Sequence, residues 1–236
     1  MDYNDYQAGI SNEHFWFKAK RNLIETLCSK VVNQPFAVKI LNIGAGTGED
    51  LQSLKKFGDI YAIDVNQQAL DLIPANLVKE KKYMDACTLE YQDNFFDIVV
   101  AFDVLEHIPD DQQAIKEIYR TLKPGGYLVL TVPAFNFLFS EHDRILHHHR
   151  RYNKKMLKIL CSPFTKIRSG YWNSLLFPAG VVHRLLQKQQ GTYKPAVVAS
   201  SAINTLFYKI LMFENWCVKS NIPLSYGLSL FGIYRK

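Results

Sequence analysis

Gly44-Ala45-Gly46-Thr47-Gly48 is the segment that most restricts what this 236-residue chain can become. The apolar run KILNIG (39–44) leads into it and a helical pattern, EDLQSLKKF (49–57), leads out. Glycines between a strand and a helix let the backbone turn tightly and approach a ligand. The first turn of the helix then offers unpaired N–H groups to that ligand. Asp64 closes the next apolar run, DIYAIDV (59–65), 20 residues after Gly44. A carboxylate at that distance can accept both hydroxyls of a ribose. The loop and its acid together point to an adenosine-containing ligand.

The spacing also says which ligands fit badly. A dinucleotide loop places its third glycine at position 49, which here is Glu49, while the third glycine is Gly48. Glu49 and Asp50 at the helix start oppose a pyrophosphate. A phosphate-binding loop ending in G-K-[ST] is excluded outright.

The middle of the chain continues the alternation. KYMDA (82–86) and FDIVVAF (96–102) read as strands, the second apolar enough to be covered on both faces. Asn66 caps a helix over 67–77, and Asp110 to Leu122 is helical, with Ala114, Ile115, Ile118, Tyr119 and Leu122 on one face. Pro124-Gly125-Gly126 reads as a turn before the strand YLVLTVP (127–133). Such β-α alternation predicts a doubly wound α/β sheet. In the last third, 153–161 reads as a helix and FTKIRSGYW (164–172) as a strand. Helices over 173–188 and 200–219 follow, joined by a polar loop, and YGLSLFGIYRK is the final strand. The two helices are expected as an insertion before that strand, forming a substrate-side cap.

At this point the residues resemble those of a family. ILNIGAGTGED looks like the first motif of the class I S-adenosylmethionine-dependent methyltransferases, and YAIDV like their ribose-binding strand. MDA (84–86), FDIVVAFDVLEHI and LKPGGYLVLTVP resemble their third, fourth and fifth strands. Five modest motifs in the right order are specific together. The flanking text, HFWFKAKRNLI and SEHDRILHHHRRYNKKML, resembles a bacterial and archaeal small-molecule branch. The resemblance implies a Rossmann-like, seven-stranded, mostly parallel sheet with an antiparallel last strand. It implies S-adenosyl-L-methionine as cofactor, with Gly44, Ala45 and Gly46 along its methionine part. Asp64 then holds the ribose hydroxyls and Val65 lies against adenine. Asp85 accepts from the adenine amino group and Ala86 donates by its backbone. Phe102 and Asp103 flank the methionyl and ribose region. Asn42 stands where the family usually carries an acid. One domain is expected over 1–236, with an N-terminal helical segment (1–30), a cofactor-binding core (39–133) and a substrate-side loop and cap (134–222).

Methyl transfer from a sulfonium draws its chemistry from the cofactor, and the protein supplies alignment. A base helps when the acceptor is a hydroxyl. SEHDRILHHHRRYNKK (140–155) follows the fifth strand, where ligands bind in such sheets. His142 is the candidate base, because imidazole titrates near neutrality. The run His147-His148-His149 is not expected to hold a metal, because adjacent side chains diverge. The segment carries five fixed cations against Glu141 and Asp143, which fits an anion site or a solvated face. Glu106 and His107 read as a brace beside the cofactor. Phe15, Trp16 and Phe17 with Lys18, Lys20 and Arg21 read as a helix that either folds over the cofactor, with a cation meeting its carboxylate, or merely packs. Trp172, Asn173, Phe177 and Trp216 are candidates for an apolar acceptor pocket.

The chain carries 28 basic and 22 acidic residues, a net charge of +6. That permits an anionic partner, yet neither a separate RNA-binding domain nor interleaved basic and aromatic residues stand out, so nucleic acid is not expected. The absence of an Asn-Pro-Pro-Tyr signature directs the expectation to an oxygen or carbon acceptor. A small molecule that is lipid-linked, quinone-like or a glycan, carrying negative charge, fits the apolar and basic segments. The alternative is a non-catalytic cofactor-binding or partner-binding module. Cys28, Cys87, Cys161 and Cys217 form no C-x-x-C pair, and no secretory signal is recognised, so a cytoplasmic protein is expected, with peripheral membrane contact open.

Overall fold

The computed structural model describes residues 14–32, 38–190 and 201–236, without the side chains of 183 and 185–190. In chain order the elements are α1 (Phe15–Cys28), β1 (Val38–Ile43), α2 (Leu51–Leu54), β2 (Gly58–Asp64), α3 (Gln67–Asp71), β3 (Glu80–Tyr83) and β4 (Phe96–Phe102). There follow α4 (Asp111–Thr121), β5 (Leu122–Pro133), α5 (Glu141–Ile145), α6 (Lys154–Leu160), β6 (Thr165–Trp172), α7 (Phe177–Gln190), α8 (Ser201–Lys219) and β7 (Ser229–Arg235). The seven strands form one sheet in the order β3-β2-β1-β4-β5-β7-β6. All pairs are parallel except the two made by β7, which runs antiparallel to β5 and β6.

The two-residue period of the strands divides the core between the faces. In β4, Ile98, Val100 and Phe102 pack under α1, α2 and α8, while Val99 and Ala101 pack under α4 and α6. On the second face Ala114, Ile115 and Ile118 of α4 are all buried. Each isoleucine so buried contributes about 1.5–3 kcal/mol. This explains why β4 reads as uninterrupted apolar sequence and why its predicted limits, 96–102, coincide with those found.

Elsewhere the local elements are shorter than expected. The helix predicted over 49–57 is a single turn, 51–54, and Gly58 opens β2 instead of ending a helix. The helix predicted over 67–77 ends at Asp71, and after Pro74 only a 3-10 turn, Ala75–Leu77, remains. The third strand lies at 80–83 rather than 82–86, which frees Met84, Asp85 and Ala86 to form the loop at its end. Pro124-Gly125-Gly126 is not a separating turn. It sits inside β5 as an irregularity, where β4 pairs first with Leu122 and then with Tyr127, and Gly125 takes φ +81°.

The pair α7 and α8 does fall between β6 and β7. Yet α8 is a layer helix lying along α1, with Leu211 and Val218 in the same core as Leu23, Ile24 and Leu27. Asn215 of α8 ties the contact: its amide donates to Ala19 O at 2.9 Å and its Oδ1 accepts from Trp172 Nε1 at 2.8 Å. Glu214, fully buried, accepts the backbone N–H groups of Ser174 and Leu175, which anchors the turn leading to α7. No helix among the described residues is long and apolar enough to cross a membrane.

Candidate active site

The carboxyl ends of β1, β2, β4 and β5 open into a cavity of about 880 Å³. Gly44 enters it with φ +69°, and a Cβ there would run into the Val104 side chain. Gly46 has φ +52° and sends its N–H to Asp64 Oδ2 at 2.8 Å. The other oxygen of Asp64 accepts from Asn66 N at 2.8 Å. Thus Asp64 is locked against the glycine loop on one side and its own strand end on the other. An ionised carboxylate has about four lone-pair sites and lines the cavity here, where it can accept ligand hydroxyls.

Asp85, held by the backbone N–H of Cys87 at 2.8 Å, lies in the next loop with Ala86. Val65 is 61 % exposed and lines the cavity, an apolar surface that no described residue buries. Phe102 and Asp103 complete the wall from β4. All nine residues expected to touch a cofactor, and His142, therefore line one cavity. Asn42 does not; it is buried within β1.

Lys20 of α1 reaches this wall. Its Nζ lies 2.9 Å from Asp103 Oδ2 and 3.8 Å from Asp50 Oδ2. Burial alone would favour the neutral amine, but the charges of Asp103 and Asp50 outweigh it and raise its pKa. Burial likewise opposes the Asp103 carboxylate, and Lys20 reverses the balance, holding Asp103 below the usual carboxylate range. Asp103 sits at φ +50°, a backbone conformation uncommon outside glycine and found preferentially at functional sites. Phe15, Trp16 and Phe17 line the cavity beside Lys20, whereas Lys18 and Arg21 do not.

The opposite wall is the segment after β5. Asp143 is fully buried and is its hub. Its Oδ1 accepts from Arg151 Nε at 2.8 Å and lies 3.0 Å from His148 Nδ1. Its Oδ2 accepts from Ser140 N at 2.9 Å, with Arg184 of α7 at 3.5 Å. Burial opposes that charge, and His148, Arg151 and Arg184 together hold Asp143 well below the ordinary range. Three of the five cations of this segment are thus paired with carboxylates within the protein. Arg150 pairs with Asp111 at 2.7 Å and Arg144 with Glu141 at 2.8 Å. His142 lines the cavity, but burial, followed by the charge of Arg184, pushes its imidazole down to about 3. It is neutral at physiological pH and weakly basic.

Of the aromatic pocket expected from Trp172, Asn173, Phe177 and Trp216, only Asn173 lines the cavity. Trp172 is a core residue, Phe177 packs on Phe135 and Tyr226, and Trp216 is 54 % exposed on the outer side of α8. Arg184 and the Asp143 hub were absent from the sequence expectations. Asp143 carries a signal, since Ser140 and Asp143 stand at capping-box spacing before α5. Arg184 carries none.

The sheet order, the single antiparallel strand and the cavity over a glycine loop define the class I methyltransferase fold. Residues 41–130 match the family model described as a methyltransferase domain. Over 101 residues the chain is 35 % identical to phosphoethanolamine N-methyltransferase 2 of Caenorhabditis elegans, covering 39 % of this chain and 23 % of that protein. Over 97 residues it is 41 % identical to demethylmenaquinone methyltransferase of Lactobacillus johnsonii, covering 36 % of this chain and 40 % of that protein. The chain thus spans less than half the length of these relatives in its matched part. Among solved structures, Haemonchus contortus phosphoethanolamine N-methyltransferase 2 in complex with S-adenosyl-L-methionine superposes with a TM-score of 0.61 at 19 % identity, covering 91 % of this chain and 52 % of that one.

Proposed function

We propose that the protein is an S-adenosyl-L-methionine-dependent methyltransferase acting on a small molecule, with oxygen or carbon as the methyl acceptor. The observation that carries this is the convergence of Gly44–Gly46, Asp64, Val65, Asp85, Ala86, Phe102 and Asp103 on one cavity wall. The residues fit the cofactor: a close backbone approach at Gly44 and Gly46, a carboxylate for ribose hydroxyls, and an exposed apolar face at Val65 for adenine. Lys20, already charged and buried beside Asp103, is placed to meet an amino-acid carboxylate.

When bound, the cofactor supplies an electrophilic methyl on a sulfonium. The chain supplies alignment and exclusion of water, and alignment alone can lower the barrier by about 7–11 kcal/mol. His142, neutral and weakly basic, acts by orienting the acceptor through a hydrogen bond. The cavity joins an apolar side (Phe15, Trp16, Leu146, Leu228) to the cations Arg151 and Arg184. Arg151 and Arg184 share the single charge of Asp143, and that surplus beside an apolar side supports a lipid-linked, quinone-like or glycan acceptor carrying negative charge. The demethylmenaquinone relative is consistent with the quinone form. The four cysteines are free thiols, in keeping with a reducing cytoplasm.

The test is isothermal titration with S-adenosylhomocysteine, alongside NAD and Asp64→Ala. Two hydrogen bonds to a charged group, at about 1.5–3 kcal/mol each, predict a loss of about 100-fold or more in the variant. Binding would then justify a screen of aqueous and organic metabolite fractions with labelled methyl donor. Binding without transfer to any fraction would favour the non-catalytic module, and silence towards the homocysteine product would overturn the reading.

A further inference from the structure

Glu106 is 1 % exposed, and its Oε2 has no hydrogen-bond partner among the described residues. A buried carboxylate oxygen without a donor is costly and calls for a missing partner. Its position is set by the 3-10 turn Leu105–His107 after β4, and the 140–151 segment is tied to that turn by His149 N donating to Glu106 O at 2.8 Å. The same tie brings His148 over His107, their rings edge to face with centroids 4.5 Å apart.

One ligating atom each from Glu106, His107 and His148 lie within 4.8 Å of one another. We propose that these three side chains form a binding site for one divalent ion of the zinc or manganese class, in the cavity wall made by the turn after β4 and the 140–151 segment. Two imidazoles and a carboxylate are the donor types such ions take, and three protein ligands leave positions open to the cavity. Ligand atoms about 2.1 Å from an ion stand at most about 4.2 Å apart, so a small inward rotation closes the site. The outer partner is in place as well. Asp143 Oδ1, 3.0 Å from His148 Nδ1, favours the tautomer with its proton on that nitrogen and leaves Nε2 to ligate. The histidine run as such is not the site. His147, at a backbone φ of +57°, also lines the cavity, but of the run only His148 joins Glu106 and His107 among the described residues.

The site does not depend on the methyltransferase reading, and its test needs no methyl donor. Untagged, chelator-stripped protein is titrated with Zn²⁺ and with Co²⁺. One ion per chain is expected, with visible absorption bands for Co²⁺ in an imidazole-containing site. Glu106→Gln and His148→Ala, checked for folding by circular dichroism, weaken binding at least about tenfold, while His147→Ala leaves it unchanged. Where a variant fails to fold, Mn²⁺ added to the wild-type protein broadens the imidazole resonances of His107 and His148 before that of His14. The proposal is overturned if the wild-type protein binds no ion. It is also overturned if folded Glu106→Gln and His148→Ala bind as tightly as wild type, if His147→Ala is equally impaired, or if His14 broadens first.

Discussion

Lys20 in the first helix and Asp103 at the end of the fourth strand form an ion pair of 2.9 Å in the wall of the cavity, with Lys20 almost wholly buried. Eighty-three positions separate them. The pair fastens α1 to the sheet at the place where the cofactor's amino-acid end is proposed to lie.

Replacing Lys20 by Met leaves Asp103 without its cation and is expected to cost about 3 kcal/mol at pH 7. The sign of the pH dependence follows from Asp103. Its folded pKa is depressed, so its stabilisation is present above the ordinary carboxylate value and is lost as the pH falls through the depressed one. Urea unfolding should therefore show a large gap between wild type and Lys20→Met at pH 7 that narrows below pH 4. An equal gap at both pH values would contradict the ion-pair account.

Glu106 predicts the opposite sign. Burial, and after it the charge of Asp103, raise its pKa well above 4.5 in the folded state. The folded state then holds a proton that the unfolded state has released, and stability falls as pH rises above 4.5. In metal-free protein, Glu106→Gln should melt at the same temperature as wild type near pH 4 and higher at pH 8. Each kcal/mol gained corresponds to about 2–4 °C for a chain of this size.

His142 should not titrate near neutrality. With its imidazole pushed down to about 3 by burial and the charge of Arg184, its ring-proton resonance is expected to stay constant between pH 5 and 8. An inflection near 6.5 in the NMR titration would restore it as a general base.

Gly44→Ala carries two penalties, a left-handed backbone at φ +69° and contact with Val104. The backbone part alone is about 1–2 kcal/mol. Adding Val104→Ala should relieve the closer clash, with Cγ2, but neither the remaining one with the Cβ of residue 104 nor the backbone strain. The double variant is thus expected to recover part of the deficit left by Gly44→Ala, measured against Val104→Ala alone by thermal unfolding.

Much of the cofactor wall was legible in the sequence, because its signals are local. Gly44 and Gly46 are there for a backbone conformation that only a few neighbours decide, and Asp64 follows from the length of one helix and one strand. The β4 limits could be read because a strand covered on both faces must be apolar throughout. The helices were over-read for the same local reason: 49–57 and 67–77 have helical composition, yet Gly58 and Pro74 belong to what comes after, and packing stops the helices early. The acceptor side was read least well. Trp172 and Trp216 look alike in sequence, and only the seating of α8 on α1 buries the first and exposes the second.

The sequence by itself thus determined the alternating layers and the glycine loop with its acid, since strand period, helix period and glycine conformations act over a few residues. Tertiary structure alone decided which charges meet: Lys20 with Asp103 and Asp50, Asp143 with Arg151, His148 and Arg184, and Glu106 with an oxygen that no described residue partners, beside two imidazoles. The physical reason is that a charge's partner and its pKa depend on distance and burial in space. Neither quantity exists until α1, the 140–151 segment and α7 have closed around the carboxyl ends of the strands.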